Sequence, residues 1–233
     1  MSKTDLLFHT GHRERLKEKF LSDKLTECEQ LELLLTYSIP RCDVRVLARK
    51  LIEHYGGIYF VLHAPFEELV KIDGVGRNTA ILLKLFHSLD LISYSERTKS
   101  ETYLSDEKFM REYCRRLAMG KTVEESHVLY LGSDMRLISD EVHSRGTVDE
   151  TSIYVREICS RALNLNASAV LLVHNHPCSE NSFSEADTAV TTVLHYALNS
   201  IGIRLIDHLL VTRSGNIFSL AESNLWLMSS FEK

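Results

Sequence analysis

His174-Asn175-His176-Pro177, with Ser184 and Asp187 downstream, is the stretch on which both the fold and the chemistry of this chain turn. The spacing is H-x-H, seven residues, Ser, two residues, Asp. The run before it, Ala169-Val170-Leu171-Leu172-Val173, is short, apolar and rich in Val and Leu, and reads as a buried strand. Residues two apart on a strand share a face, so His174 and His176 present their imidazoles side by side at the strand's end. A mostly polar loop (Cys178, Ser179, Glu180, Asn181, Ser182) then lets Asp187 swing back as a third ligand. Two neutral imidazoles, one carboxylate and an open position for water describe a catalytic zinc site rather than a closed structural one, with one Zn2+ per chain. Ser184 also precedes an apolar-periodic stretch (Ala189, Val190, Val193, Leu194, Ala197, Leu198), so it is expected to cap a helix that carries Asp187 at its third position. Capping and metal binding are compatible, because one helical turn can hold both. Cys178, two residues past His176, reads as a loop thiol.

The 233 residues suit two domains of ordinary size. With 44% hydrophobic residues and no run near the ~18 to 20 apolar residues that a membrane span needs, the expectation is a soluble globular protein with no membrane partner. Met1-Ser2-Lys3-Thr4-Asp5 has no apolar h-region, which points to the cytoplasm. Five widely spaced cysteines without a C-x-x-C suit reduced thiols and argue against a disulfide frame. The net charge of −5 does not advertise nucleic-acid binding, but it is unevenly spread. Residues 1–100 hold 15 Lys and Arg against 14 Asp and Glu, and the remainder 12 against 18. A DNA contact therefore belongs to the first hundred residues.

That first part reads as helices: Arg13 to Phe20, Glu27 to Tyr37, Val44 to His54, Pro65 to Val70 and Asn78 to Leu91, mostly separated by Gly, Pro or Asp/Ser signals. Leu31, Leu33, Leu34 and Leu35 mark a core helix. From Leu69 to Leu83 the chain resembles a helix-hairpin-helix, with Gly74-Val75-Gly76 as its turn. Two glycines permit a tight turn that exposes backbone N–H groups at a helix start, where a phosphate is favoured, and Arg77 and Lys84 add charge nearby. The competing reading is a turn whose glycines serve packing alone. The expected division is a helical domain over 1–92, a polar linker over 93–103 and a second domain over 104–233. In the latter, Asp106 to Ala118 reads as a helix, Val128 to Leu131 and Leu137 to Ser139 as strands, Thr151 to Leu165 as a helix, 169–174 as a strand and 184–200 as a helix. Leu205 to Thr212 and Ile217 to Leu220 read as a hairpin around Ser214-Gly215-Asn216.

The H-x-H…S-x-x-D pattern resembles the JAMM (MPN+) metalloprotease motif, and its setting resembles the RadC family of bacterial proteins. The resembling segments are Gly11 to Leu16, Gly146-Thr147 through Ser152 to Ile158, Ala162-Leu163, Asn166 to Ala169, the H-N-H-P and Gly202 to His208, so it spans roughly residues 10 to 222. It implies an α/β chain: an all-helical amino-terminal domain followed by a JAMM/MPN-type mixed α/β domain. It also implies a Glu general base before a strand and an oxyanion-supporting serine, here Ser184. Alignment on Val128 to Leu131 puts Glu124 in the base role and Glu125 one place off, with Glu141 and Glu157 as weaker candidates. Asp207-His208 matches the family too and reads as support rather than a fourth ligand. The chain departs from the family pattern at Cys178-Ser179, Phe183 and Val155, which leaves the ligands intact and places substrate preference in question.

The function expected from this resemblance is a zinc-dependent hydrolase cleaving a peptide or isopeptide bond in a protein or peptide substrate, with a DNA-repair association. Two alternatives stand beside it. One is a metal-dependent nuclease, and the other is a non-catalytic DNA-binding accessory protein whose metal site is idle.

Overall fold

The computed structural model describes residues 3–100, 107–146, 153–179 and 182–223. Linker residues 101–103 and the expected helix starts at Asp106 and Thr151 lie outside the described residues, but the second of those helices begins only at Val155, because Ile153 is not helical and Tyr154 is extended ahead of it. The chain divides into two compact units, Met1–Leu89 and Asp90–Lys233.

The described part of the first unit is helical: α1 (Lys3–Leu21), α2 (Glu27–Ser38), α3 (Arg45–Tyr55), α4 (Ile58–His63), α5 (Phe66–Leu69) and the start of α6 (Arg77–Ser100). Thr26 and Glu29 form a reciprocal capping box at the start of α2, each side chain taking the other's backbone N–H. Gly56 ends α3 in the left-handed conformation at φ +90°. Leu31, Leu35, Ala48, Leu51, Val61, Leu69, Ala80 and Leu83 share one apolar core. Helix α4 went unread in the sequence because six residues are too few to show a 3.6-residue period. Helix α6 runs on through residues 93–100, since polar composition alone, without Gly or Pro, does not stop a helix.

The second unit holds α7 (Glu107–Ala118), β1 (Glu125–Leu131), β2 (Leu137–Arg145), α8 (Val155–Asn164), β3 (Ala169–His176), α9 (Glu185–Ser200), β4 (Arg204–Thr212) and β5 (Ile217–Ser219). The strands form one mixed sheet in the order β2-β1-β3-β4-β5, in which only β3 and β4 run parallel. β3 is the central strand and is apolar on both faces, as its Val/Leu run predicts. Val128, Tyr130, Val170 and Leu172 pack with Ile158, Ala162, Leu194 and Leu198, so α8 and α9 cover one face. The alternate residues Leu129, Leu171 and Val173 point to the other, where α7 lies against β3 and β4. The strands and hairpin read from the sequence are all present, with β2 longer than Leu137 to Ser139. No helix among the described residues is long and apolar enough to cross a membrane.

Candidate metal centre

His174 and His176 occur at positions of β3 that share a face with Val170 and Leu172, so both project toward α9. Ser184 caps α9: its hydroxyl accepts from the Asp187 N–H at 3.1 Å, and the Asp187 carboxylate takes the Ser184 N–H at 2.9 Å. This box fixes Asp187 at the third helical position with its carboxylate turned back toward β3. His174 Nε2 lies 3.2 Å from His176 Nε2 and 3.6 Å from Asp187 Oδ1, and His176 Nε2 lies 4.0 Å from Asp187 Oδ2. The three side chains offer ligand atoms within 4.8 Å of one another. A tetrahedral zinc with bonds near 2.0–2.1 Å holds its ligand atoms about 3.3 Å apart, so the cluster has the right size. Burial pushes the His174 imidazole well below its ordinary pKa, which keeps it neutral and ligand-competent at pH 7.

Glu124 immediately precedes β1 and is 7% exposed. Its Oε1 lies 3.7 Å from His176 Nε2, so its carboxylate borders the cluster. Glu125, one residue on, turns to the opposite face into a cage of Lys121 Nζ at 3.0 Å, Arg145 Nε at 3.1 Å and His127 Nε2 at 3.3 Å. That cage, His127 foremost and Lys121 next, holds the Glu125 carboxyl down at about 2 against the opposing effect of burial. Glu141 is engaged by Arg161 and Ser139, and Glu157 is exposed on the first turn of α8. Cys178 is exposed and is not among the converging ligand groups.

Two residues that the H-x-H pattern does not explain tie the site together. Asn175, between the ligands, faces the other way and is 3% exposed. Its Oδ1 accepts from Glu125 N at 2.9 Å and its Nδ2 donates to Val123 O at 3.1 Å, so one side chain pins the backbone on both sides of Glu124. The β1–β3 ladder ends at Ser126–His174, and Asn175 extends it by one more rung. His208 is the other: its Nε2 lies 2.7 Å from His174 Nδ1. A regular strand would send Leu205 and His208 to opposite faces. The bulge at Ile206 puts both on the α9 side, since Leu205 pairs with Val170 and His208 with Leu172. Asp207 faces away and joins the strand ends, accepting from Ser219 Oγ and from the His208 and Ala221 N–H groups. Phe183, where the family pattern usually has Pro, lays its ring 5.0 Å from His208 and 5.7 Å from His174.

The hydroxyl of Ser184 donates to Asp187 Oδ2 at 2.7 Å, so in this structure it orders a ligand. In the first unit, Gly74 has φ +92°, and a Cβ there would press Leu47 at 3.2 Å, so this glycine is required by the turn. Gly76 has neither constraint. Arg77 is exposed and lies over the Phe66 ring at 5.8 Å. Lys84 donates to the Ala64 carbonyl at 3.0 Å and closes the end of α4.

A mixed sheet carrying two histidines from its central strand and an aspartate from a capped helix defines an α/β domain with a group that could hold a metal ion. Residues 104–225 match the RadC-like JAB domain model. A UPF0758 protein of Fusobacterium nucleatum is 36% identical over 235 residues, covering 97% of this chain and 100% of its own. A UPF0758 protein of Ruegeria pomeroyi is 37% identical over 217 residues, covering 92% and 97%. The chain belongs to the RadC family.

Proposed function

We propose that this protein is a zinc-dependent hydrolase of the JAMM type that cleaves a peptide or isopeptide bond. The observation that carries the reading is the convergence of His174, His176 and Asp187 with the Glu124 carboxylate beside them. A donor set of two imidazoles and one carboxylate suits zinc. Zinc held by His174, His176 and Asp187 would supply Lewis acidity, polarising a carbonyl oxygen and making a water more acidic. Glu124, bordering that set, is placed to accept a proton from the attacking water and to pass it to the leaving amine. Asn175 keeps Glu124 at its distance, and Ser184 turns its hydroxyl from Asp187 to the developing oxyanion. The cage around Glu125 supports the choice of Glu124 over it, since a carboxyl held down at about 2 is a poor proton acceptor near neutral pH.

The test is to incubate zinc-loaded protein with a peptide, an isopeptide-linked substrate and duplex DNA, beside a His174→Ala, His176→Ala variant. Amide cleavage that vanishes in the variant is the expected result. DNA cleavage that vanishes in it would establish a nuclease instead, and no cleavage of any substrate would leave an accessory protein.

We also propose weak, sequence-independent DNA binding through the Gly74-Val75-Gly76 turn and Arg77, in keeping with a DNA-repair role. Near-neutral charge over residues 1–100 means few displaced counterions, so affinity should fall with salt on a shallow slope. The full chain and its Gly74→Val, Gly76→Val variant are compared on two unrelated duplexes at low salt. Equal binding by both proteins would return the turn to a packing role.

A further inference from the structure

Resting on the metal-centre reading, we propose that Thr191 and His208 are positioning residues that set the tautomer of His174 and thereby aim its Nε2 lone pair at the metal position. Both are enclosed, Thr191 at 2% and His208 at 0% exposure, and the Phe183 ring lies against His208.

The direction of each hydrogen bond follows from the one before it. Thr191 Oγ1 lies 2.5 Å from the Asp187 carbonyl oxygen and 2.6 Å from His208 Nδ1. A carbonyl only accepts, so the single hydroxyl proton of Thr191 goes to Asp187 O. Oγ1 is then left to accept, and His208 Nδ1 must carry a proton. His208 is neutral, because its fully buried ring is enclosed by the Thr191 hydroxyl, the His174 imidazole and the Phe183 ring, none of them an anion that would offset an imidazolium. Its Nε2 is therefore bare and accepts from His174 Nδ1–H at 2.7 Å. With its one proton on Nδ1, neutral His174 has a bare Nε2. That nitrogen stands 3.2 Å from His176 Nε2 and 3.6 Å from an Asp187 oxygen, where a metal shared by the three side chains would lie.

The relay begins at a backbone atom of one ligand and ends on the ring of another. Asp187 and Thr191 are four residues apart on α9, on the stripe that continues into the buried Leu194 and Leu198. A threonine hydroxyl bonded to the carbonyl four residues back is ordinary in a helix. The second bond, to His208, gives this one a direction to transmit. Without the hydroxyl, His208 gains nothing by holding its proton on Nδ1. It can shift to the Nε2–H form and donate to His174 Nδ1, which moves the His174 proton onto the metal-facing nitrogen.

The experiment combines imidazole 15N chemical shifts of the metal-free protein with zinc affinity from competition with a chromophoric chelator. Wild type, Thr191→Val and Thr191→Ser are compared. In wild type, His174 and His208 are both expected as the Nδ1–H tautomer. Thr191→Val, which keeps the shape and removes the hydroxyl, should shift both tautomers and weaken zinc binding by roughly 10- to 100-fold. Thr191→Ser should restore both readouts. An Nε2–H form of His174 in the wild type overturns the proposal without any variant, as does unchanged zinc affinity in a folded Thr191→Val. Equal losses in Thr191→Ser and Thr191→Val would mean that packing, not the hydroxyl, matters. Wild-type protein with the expected tautomers and no zinc binding would instead defeat the metal-centre reading and leave the relay standing.

Discussion

Glu124 and Glu125 are neighbours of the same chemical type, both almost fully buried, and the pleat of β1 sends them to opposite faces of one sheet. On the α9 face, Glu124 borders two imidazoles and a second carboxylate, a group that could hold a cation. On the α7 face, Glu125 is surrounded by Lys121, Arg145 and His127. One buried carboxylate borders the candidate metal group and the other is held among basic side chains. Burying a charge is costly unless it is paired, so the pairing of Glu125 stabilises the fold, while Glu124 is the carboxylate placed beside the candidate metal group.

The largest effect that would break this contrast is loss of the metal from the α9 face. Asp187→Ala should reduce zinc from one per chain to a small fraction by elemental analysis, and full occupancy there would remove the cluster's claim. Next, Glu124→Gln should keep zinc and lower turnover by roughly 10²-fold or more, the scale of a general base, while Glu125→Gln leaves turnover near wild type. A larger loss at Glu125 or Glu141 would reverse the assignment of the two faces.

Asn175 joins the two faces, and Asn175→Ala sharpens the comparison. Zinc content should hold while turnover drops by about 10-fold or more, because a base displaced by a fraction of an ångström loses alignment. Zinc loss equal to that of Asp187→Ala would make Asn175 a support of the ligands instead.

The smallest effect is on stability. The Glu125 carboxyl sits at about 2 in the folded chain against 4.5 ordinarily, so its contribution is fully present above pH 4.5 and fades as pH falls toward 2. Thermal melts should place Glu125→Gln roughly 2 kcal/mol below wild type at pH 7, with the gap closing across that acid window. A gap independent of pH would show that the carboxylate's charge is not what the cage stabilises.

What the sequence by itself determined was whatever depends on local period and local chemistry. The two-residue repeat of a strand placed His174 and His176 on one face, and the Ser184-x-x-Asp187 box announced both a helix start and a candidate ligand. The resemblance to RadC chains, carried by specific motifs, pointed to Glu124. Helix α4 escaped because six residues carry no readable period, and the polar stretch 93–100 misled because polarity does not end a helix.

Only the tertiary structure decided how separate strands register. The facing of Glu124 toward His176, the Asn175 rung at the end of the β1–β3 ladder and the convergence of Asp187 on the histidines all depend on which residues lie opposite one another. His208 is the plainest case. Its place beside His174 depends on a single bulged residue, Ile206, that shifts strand parity by one. A bulge forms where the ladder with a neighbouring strand demands it, and that neighbour, β3, lies some thirty residues earlier in the chain. Lys84 makes the same point in the first unit, since a charge that reads as a phosphate contact in one dimension is drawn to the carbonyl end of α4 in three.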